Sequence, residues 1–322
     1  MKLSKLGEFG LIEKINNIIG EPARKAVLGI GDDTAVIEIQ NSNIEILNKF
    51  QFTKSKYQLL TTDTMVQGVH FRLKGTSFYD LGERALAINI SDIASMGGSP
   101  TYALVTIGAN KNFSVEKIEE LYKGIRDLAK RYKIGVVGGE TVGSPKEFVI
   151  SITLLGEAGK EYLLTRSGAQ VGDSILVTGN FGGPKAAKFD IGKSKLNVRL
   201  KEADLIAKSG LCTSMTDSSD GLVRSVVEIC RKSNSGARLY ADCVPIAKKA
   251  RLKQALYGGE EYELVFTAPE EKAKELKSLI SRKSRTKVSI CGKIVPDYGE
   301  VKVVNMQGKV SPILSAGFEH FK

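Results

Sequence analysis

Three observations predict a two-domain α/β protein. The chain has 322 residues, and a domain typically holds roughly 100–200. Apolar residues recur at every second position in some segments and every third or fourth in others, the two periods of strand and helix. Composition shifts near residue 158, after which the mixed habit begins afresh.

Residues Glu8 to Ile19 read as an opening helix, with Phe9, Ile12, Ile15 and Ile19 at helical spacing. "KAVLGIGDDTAVIEI" reads as strand, turn, strand. "YQLLTTDTMV" is a further strand with Thr61, Thr62 and Asp63 at or just past its end. "SFYDLGERALAINISDIASMGGSP" is a helix stopped by Gly97-Gly98 with Pro100 beyond. "TYALVTIGA" is a strand, "SVEKIEELYKGIRDLAKRY" an amphipathic helix, and "IGVVGGETVG" and "FVISITLLGEA" are strands. The join lies near Gly156 to Lys160, giving domains 1–157 and 158–322. In the second half "QVGDSILVTG" is turn then strand. Helices follow near Pro184 to Phe189, near Gly221 to Ser233 and from Glu270, with strands "ARLYA", "ELVFTA" and "KVSICGKIV".

Bulk properties exclude several classes. Hydrophobic content of 42% and charged content of 26% are those of a soluble globular protein. No apolar run approaches the ~18 residues of a membrane span, and acids and glycines interrupt the N-terminal "MKLSKLGEFGLIEKI". Cys212, Cys230, Cys243 and Cys291 form no C-x-x-C pair, so no zinc ribbon or redox motif is predicted; scattered thiols fit the cytoplasm. A net charge of +11 invites a nucleic-acid partner. The basic residues, however, fall on solvated helix faces such as "EEKAKELKSLISRKSRTK", without interleaved aromatics. A lysine-rich surface around an anionic small-molecule site is the expectation, with neither nucleic acid nor membrane as partner.

Two phosphate-loop motifs fail. "GIGDDT" has Thr34 where G-x-G-x-x-G needs its last glycine, and "DIGKSK" follows Ala187 where a Walker pattern needs glycine. The acids are more informative. Asp92 sits in an apolar, small-residue helix, where a carboxylate must be paired, capped or bound to metal. Asp32 and Asp33 suit a turn, Asp63 a loop, and Asp217 and Asp220 an N-cap series. Each has that plain alternative, yet all lie at strand–helix transitions, where ligand sites gather in α/β proteins. Oxygen ligands without thiolate or imidazole clusters select Mg²⁺, which normally also binds substrate phosphates. Gly258-Gly259 ahead of Glu260 and Glu261 allows close backbone approach, by a substrate or simply in a turn. Arg166 suits a phosphate clamp or a loop cap.

The motifs "GEFGLI", "GIGDDTAVI", "TTDTMVQGVHF", "NISDIASMGGSP", "GGETVG", "TRSGAQVGD", "DSSDGL", "GGEEYEL" and "GFEHF" resemble, in that order, the thiamine-monophosphate kinases. Single motifs are shared with aminoimidazole ribonucleotide synthetase, selenophosphate synthetase and hydrogenase-maturation dehydratase, and the first of these is the alternative function. The resemblance implies a two-domain fold like that of aminoimidazole ribonucleotide synthetase. Its N-terminal domain would form a homodimeric β-barrel flanked by helices, and an α/β C-terminal domain would complete the site. It implies ATP-dependent phosphorylation of thiamine monophosphate to thiamine diphosphate. Several Mg²⁺ ions would be held by Asp32, Thr61, Thr62, Asp63, Asp92, Glu140, Asp217 and Asp220, with room for a monovalent cation. ATP would meet Tyr122, Gly139, Arg166 and Ser219. The acceptor would meet His70, Glu260 and Phe318. The family carries Asp where this chain has Glu140, and its proline-and-arginine segment is barely visible between Lys193 and Gly210.

Overall fold

The computed structural model describes residues 3–19, 26–38, 56–187 and 195–313. Two mixed sheets organise it. The first is built from β1 (Ala26–Leu28), β2 (Ala35–Glu38), β3 (Lys56–Val66), β4 (Ser99–Ala109), β5 (Gly135–Gly143) and β6 (Val149–Gly159), in the order β1-β2-β3-β6-β4-β5. Only β4 and β5 run parallel. The second contains β7 (Ser174–Thr178), β8 (Ser214–Asp217), β9 (Gly236–Tyr240), β10 (Leu264–Ala268), β11 (Val288–Val295), β12 (Val301–Val304) and β13 (Val310–Pro312), in the order β13-β12-β9-β11-β7-β10-β8. The fold is thus two-domain α/β, and among the described residues neither sheet closes into a barrel within one chain.

The helices are α1 (Leu3–Ile19), α2 (Phe78–Ser95), α3 (Val115–Tyr132), α4 (Gly183–Ala186), α5 (Leu200–Ser209), α6 (Leu222–Lys232), α7 (Leu252–Tyr257) and α8 (Glu270–Ser284). α2 starts where Ser77 accepts from the Asp80 N–H, and Gly97 at φ 71 turns the chain out of it. α2 and α3 cross in close contact. A Cβ on Gly82 would stand 2.0 Å from the Leu121 carbonyl oxygen, and one on Gly124 2.0 Å from that of Tyr79, so only glycine permits this approach.

α2 is shared by both halves. Leu81, Leu86, Ile90 and Ile93 pack into the core beneath the first sheet, with Phe148 and Ile152. Ala94 instead joins Leu176, Met215, Leu264 and Phe266 of the second half. In return Tyr262 of the second half is buried in the first core.

Several sequence expectations need correction. Thr61, Thr62 and Asp63 lie within β3, which pairs with β6 without interruption to Val66. Asp217 ends a strand and does not cap α6, whose N-cap is Gly221 without a side-chain hydrogen bond. Helices α5 and α7 and strands β8, β12 and β13 were not anticipated. The helix expected near Pro184 to Phe189 is one turn, with residues from 188 outside the described set.

Candidate active site

The site is assembled where α2 passes the ends of strands from both sheets. On α2, Arg84, Ser91, Asp92 and Ser95 stand at i, i+7, i+8 and i+11, one polar stripe along an otherwise apolar helix. On β3 the two-residue alternation sends Thr61 and Asp63 toward that stripe, while Thr62 is exposed on the opposite face beside Thr153. β8 delivers Asp217, and the turn after β1 delivers Asp32 and Asp33.

Carboxylate oxygens of Asp33, Asp92 and Asp217 lie within 4.8 Å of one another. Each acid is held by hydroxyls or by Arg166. Thr61 Oγ1 donates to Asp92 Oδ2 at 2.6 Å, and Ser91 Oγ to Asp217 Oδ2 at 2.5 Å. Ser95 Oγ donates to Asp33 Oδ2 at 2.6 Å, while Thr216 Oγ1 and Arg166 Nε donate to its Oδ1 at 2.9 and 3.0 Å. Asp32 is the expected acid, but the structure puts Asp33 in the group. Asp32 turns aside and accepts from its neighbour's N–H at 3.0 Å and from the Arg166 N–H at 3.3 Å.

Electrostatics mark the place as short of positive charge. Burial, then the Asp33 charge, pushes Asp217 up to about 8. Burial, then Asp63, Asp217 and Asp33, holds Asp92 well above the usual carboxylate range. Asp63 is raised to about 6 by burial and by Glu260 and Asp220, which places those two acids close by. Asp32 reaches about 6 through burial and Asp33, against the pull of Arg166. Beside the group, Thr34 Oγ1 and Ser218 Oγ are buried and have no hydrogen-bond partner.

The remaining expected residues scatter more widely. Glu260 N–H donates to the Ser219 carbonyl at 2.5 Å, tying the two loops together. His70 accepts from the Val66 N–H at Nδ1, 3.0 Å, within the turn after β3. Gly139 has φ 155, and a Cβ there would stand 1.8 Å from the Val105 carbonyl oxygen. Glu140, exposed on β5, accepts from the Thr141 N–H at 2.7 Å and is not in the Asp33 group. Tyr122 is half-buried on α3 and lines a separate cavity of about 180 Å³ with Arg126, Lys130 and Val136. Phe318 lies outside the described residues. Arg199 is bound by Glu263 through two hydrogen bonds of 2.6 Å.

Two larger cavities flank this region. One of about 610 Å³ is bounded by α2, α3 and Arg199, the other, of about 450 Å³, by Glu260, Glu261, Asn180 and Gly183; Lys195, Leu196 and Asn197 border both.

A fold of two α/β halves with an oxygen-only carboxylate site between them defines a class. The description AIR synthase related protein, N-terminal domain, fits residues 31–158, and its C-terminal domain fits residues 170–305. Within that class the similarity is specific. The thiamine-monophosphate kinase of Buchnera aphidicola subsp. Schizaphis graminum is 30% identical, covering 98% of each chain. That of Bacillus subtilis (strain 168) is 30% identical over 92% of this chain and 94% of its own. The solved structure of AaThiL complexed with AMPPCP and TMP superposes with a TM-score of 0.80 at 26% identity, covering 99% of both chains. The chain belongs to the thiamine-monophosphate kinase family.

Proposed function

We propose that this chain transfers the terminal phosphoryl group of ATP to thiamine monophosphate, giving thiamine diphosphate and ADP. One observation carries the proposal. Three acids from three separate motifs meet in one buried, oxygen-only group, in a chain 30% identical over its length to a thiamine-monophosphate kinase. The family also includes AaThiL, whose complex holds AMPPCP and TMP.

The donor set fits Mg²⁺. Carboxylates and hydroxyls without thiolate or imidazole are its ligands, and the raised acids and orphaned hydroxyls describe a place in need of a cation. Mg²⁺ held there would neutralise the phosphate oxygens of the nucleotide. We assign Asp33, Asp92 and Asp217 as its core ligands, with Asp63, Asp220, Asp32 and Thr61 as further oxygen donors for several ions.

The chain's own groups orient and neutralise. Arg166, gripping Asp33 from one side, offers its positive charge to the nucleotide, with Ser219, Gly139 and Tyr122 as further contacts. The acceptor phosphate has a second pKa of ~6 and already carries a nucleophilic oxygen near neutral pH, so no side chain needs to remove a proton. His70, Glu260 and Phe318 meet the acceptor.

A homodimer is part of the proposal, with the first sheets of two copies closing a shared barrel. Tyr102 and Leu104 of β4 and Val137 and Val142 of β5 form an exposed apolar face of the kind a partner copy covers. We place the domain limits at 1–157 and 158–322. Among the described residues no helix is long and apolar enough to cross a membrane.

The test is formation of ADP and thiamine diphosphate from purified protein, ATP, Mg²⁺ and thiamine monophosphate. Product is expected with the wild type, and its loss in EDTA and in Asp63→Asn and Asp92→Asn. A folded wild-type protein that makes none would sink the assignment.

A further inference from the structure

Glu260 is held by groups from both halves of the molecule. Its φ is 68 and that of Tyr262 is 53, left-handed backbone that a non-glycine residue keeps only where its surroundings over-determine it. Two constraints are local: Glu260 N–H donates to the Ser219 carbonyl and Tyr262 N–H to the Ser218 carbonyl, the latter at 2.8 Å. The third comes from α2. Arg84, 6% exposed, donates from one terminal guanidinium nitrogen to Glu260 Oε2 at 2.6 Å and to the Glu260 carbonyl oxygen at 3.2 Å. The same guanidinium lies 5.8 Å from the centre of the Tyr262 ring. One buried cation therefore grips the side chain and backbone of Glu260 and the face of Tyr262.

The position has a consequence for charge and for space. Glu260 and Asp220 are close enough to Asp63 to raise its carboxyl. Those acids stand to one side of the Glu260 carboxylate, and Arg84 holds it from another. Arg84 lines the 610 Å³ cavity and Glu260 the 450 Å³ cavity, so the ion pair stands in the wall between them.

We propose that Arg84 is a positioning residue for the phosphate acceptor, fixing the Glu260 carboxylate in the wall of the 450 Å³ cavity. This rests on the proposed kinase activity, with Glu260 as an acceptor contact. Arg84 itself touches no reacting atom. A residue of this kind acts on acceptor affinity and orientation, whereas a merely structural arginine would alter both substrates alike.

The experiment is steady-state kinetics of the wild type, Arg84→Lys, Arg84→Met, Glu260→Gln and the Arg84→Met/Glu260→Gln double variant. Thiamine monophosphate and ATP are varied separately, and the melting temperature of each protein is recorded. Arg84→Met is expected to raise KM for thiamine monophosphate about tenfold or more while KM for ATP moves less than about threefold. Arg84→Lys, which keeps the charge and loses the planar fork, falls between. Adding Arg84→Met to Glu260→Gln costs little more, because both remove one interaction. Equal changes in the two KM values, a fall in kcat alone, or effects that multiply in the double variant would overturn the inference. If Arg84→Met does not fold, Arg84→Lys decides by the same comparison of KM values. A wild type that does not phosphorylate thiamine monophosphate removes the kinase assignment and this inference together. An active wild type with Arg84 variants of unchanged acceptor KM removes the inference alone.

Discussion

Replacing Asp217 by Asn should stabilise the metal-free protein at alkaline pH. Native Asp217 holds its proton up to about 8, against 3.8 for the ordinary group. Its contribution to stability is complete below the unfolded value and is lost as pH rises through about 8. The gap of about four pH units, at about 1.4 kcal/mol each, sets a ceiling of about 6 kcal/mol. Burial is the larger cause and the Asp33 charge the next, while Ser91 and Arg166 offset part of the cost, so the substitution relieves about 2 kcal/mol, or about 4 °C in a chain of this size. Asn can still accept the Ser91 hydrogen bond at Oδ1, so little else is lost. The assay is thermal melting of wild type and Asp217→Asn between pH 5 and 9, first in EDTA and then in Mg²⁺. In EDTA the variant's advantage should grow with pH and level off above about 8. In Mg²⁺ the gap closes or reverses, because the wild type gains about 2.7 kcal/mol at a hundredfold excess over Kd and the variant has lost a ligand. A variant less stable than the wild type in EDTA at pH 9 would refute the reasoning, since burial and the Asp33 charge would then not weigh on the ionised Asp217.

Glu261 is 6% exposed, and burial pushes it up to about 8 from 4.5, against the opposing pull of the Gly182 N–H and its own N–H. Glu261→Gln should therefore gain on the wild type as pH rises from 4.5 through about 8, by a few kcal/mol at most; equal urea midpoints at pH 5 and pH 9 would contradict this. Val137, 62% exposed on the edge strand β5, lies in the apolar face assigned to the dimer. Val137→Lys should shift sedimentation toward monomer without lowering the melting temperature of the monomer, and an unchanged sedimentation coefficient would place the interface elsewhere.

Much of this site was legible because acids stood beside glycine, serine and threonine in apolar segments. Asp63, Asp92 and Asp217 were singled out that way, and Asp92 and Asp217 meet Asp33 in the structure. The choice between Asp32 and Asp33 was not legible: the turn after β1 decides which of two adjacent carboxylates faces α2, and Arg166, far along the chain, fixes the outcome. Thr62 was grouped with Thr61 and Asp63 on the assumption that the strand ended there. β6 runs beside all three, so alternation persists and Thr62 faces away. Arg84 gave no signal of its own, as an arginine in a helix reads as solvated; its meaning comes from Glu260, brought to it from 176 positions away. Helix α5 was obscured because its segment was compared with a family motif that it lacks, although Ala203 and Ile206 do bury a regular face.

The sharing of α2 between the two cores also sets a timetable for synthesis. A ribosome that has reached the end of the first sheet has made Asp33 and Asp92 and not Asp217, and the Ala94 side of α2 has nothing to pack against. Domains made early generally fold early, but here the nascent first half carries an unfinished cluster of acids. The three-acid group exists only once β8 has emerged and paired with β10, so a cation seated there would report that the chain has been made at least as far as Ala268.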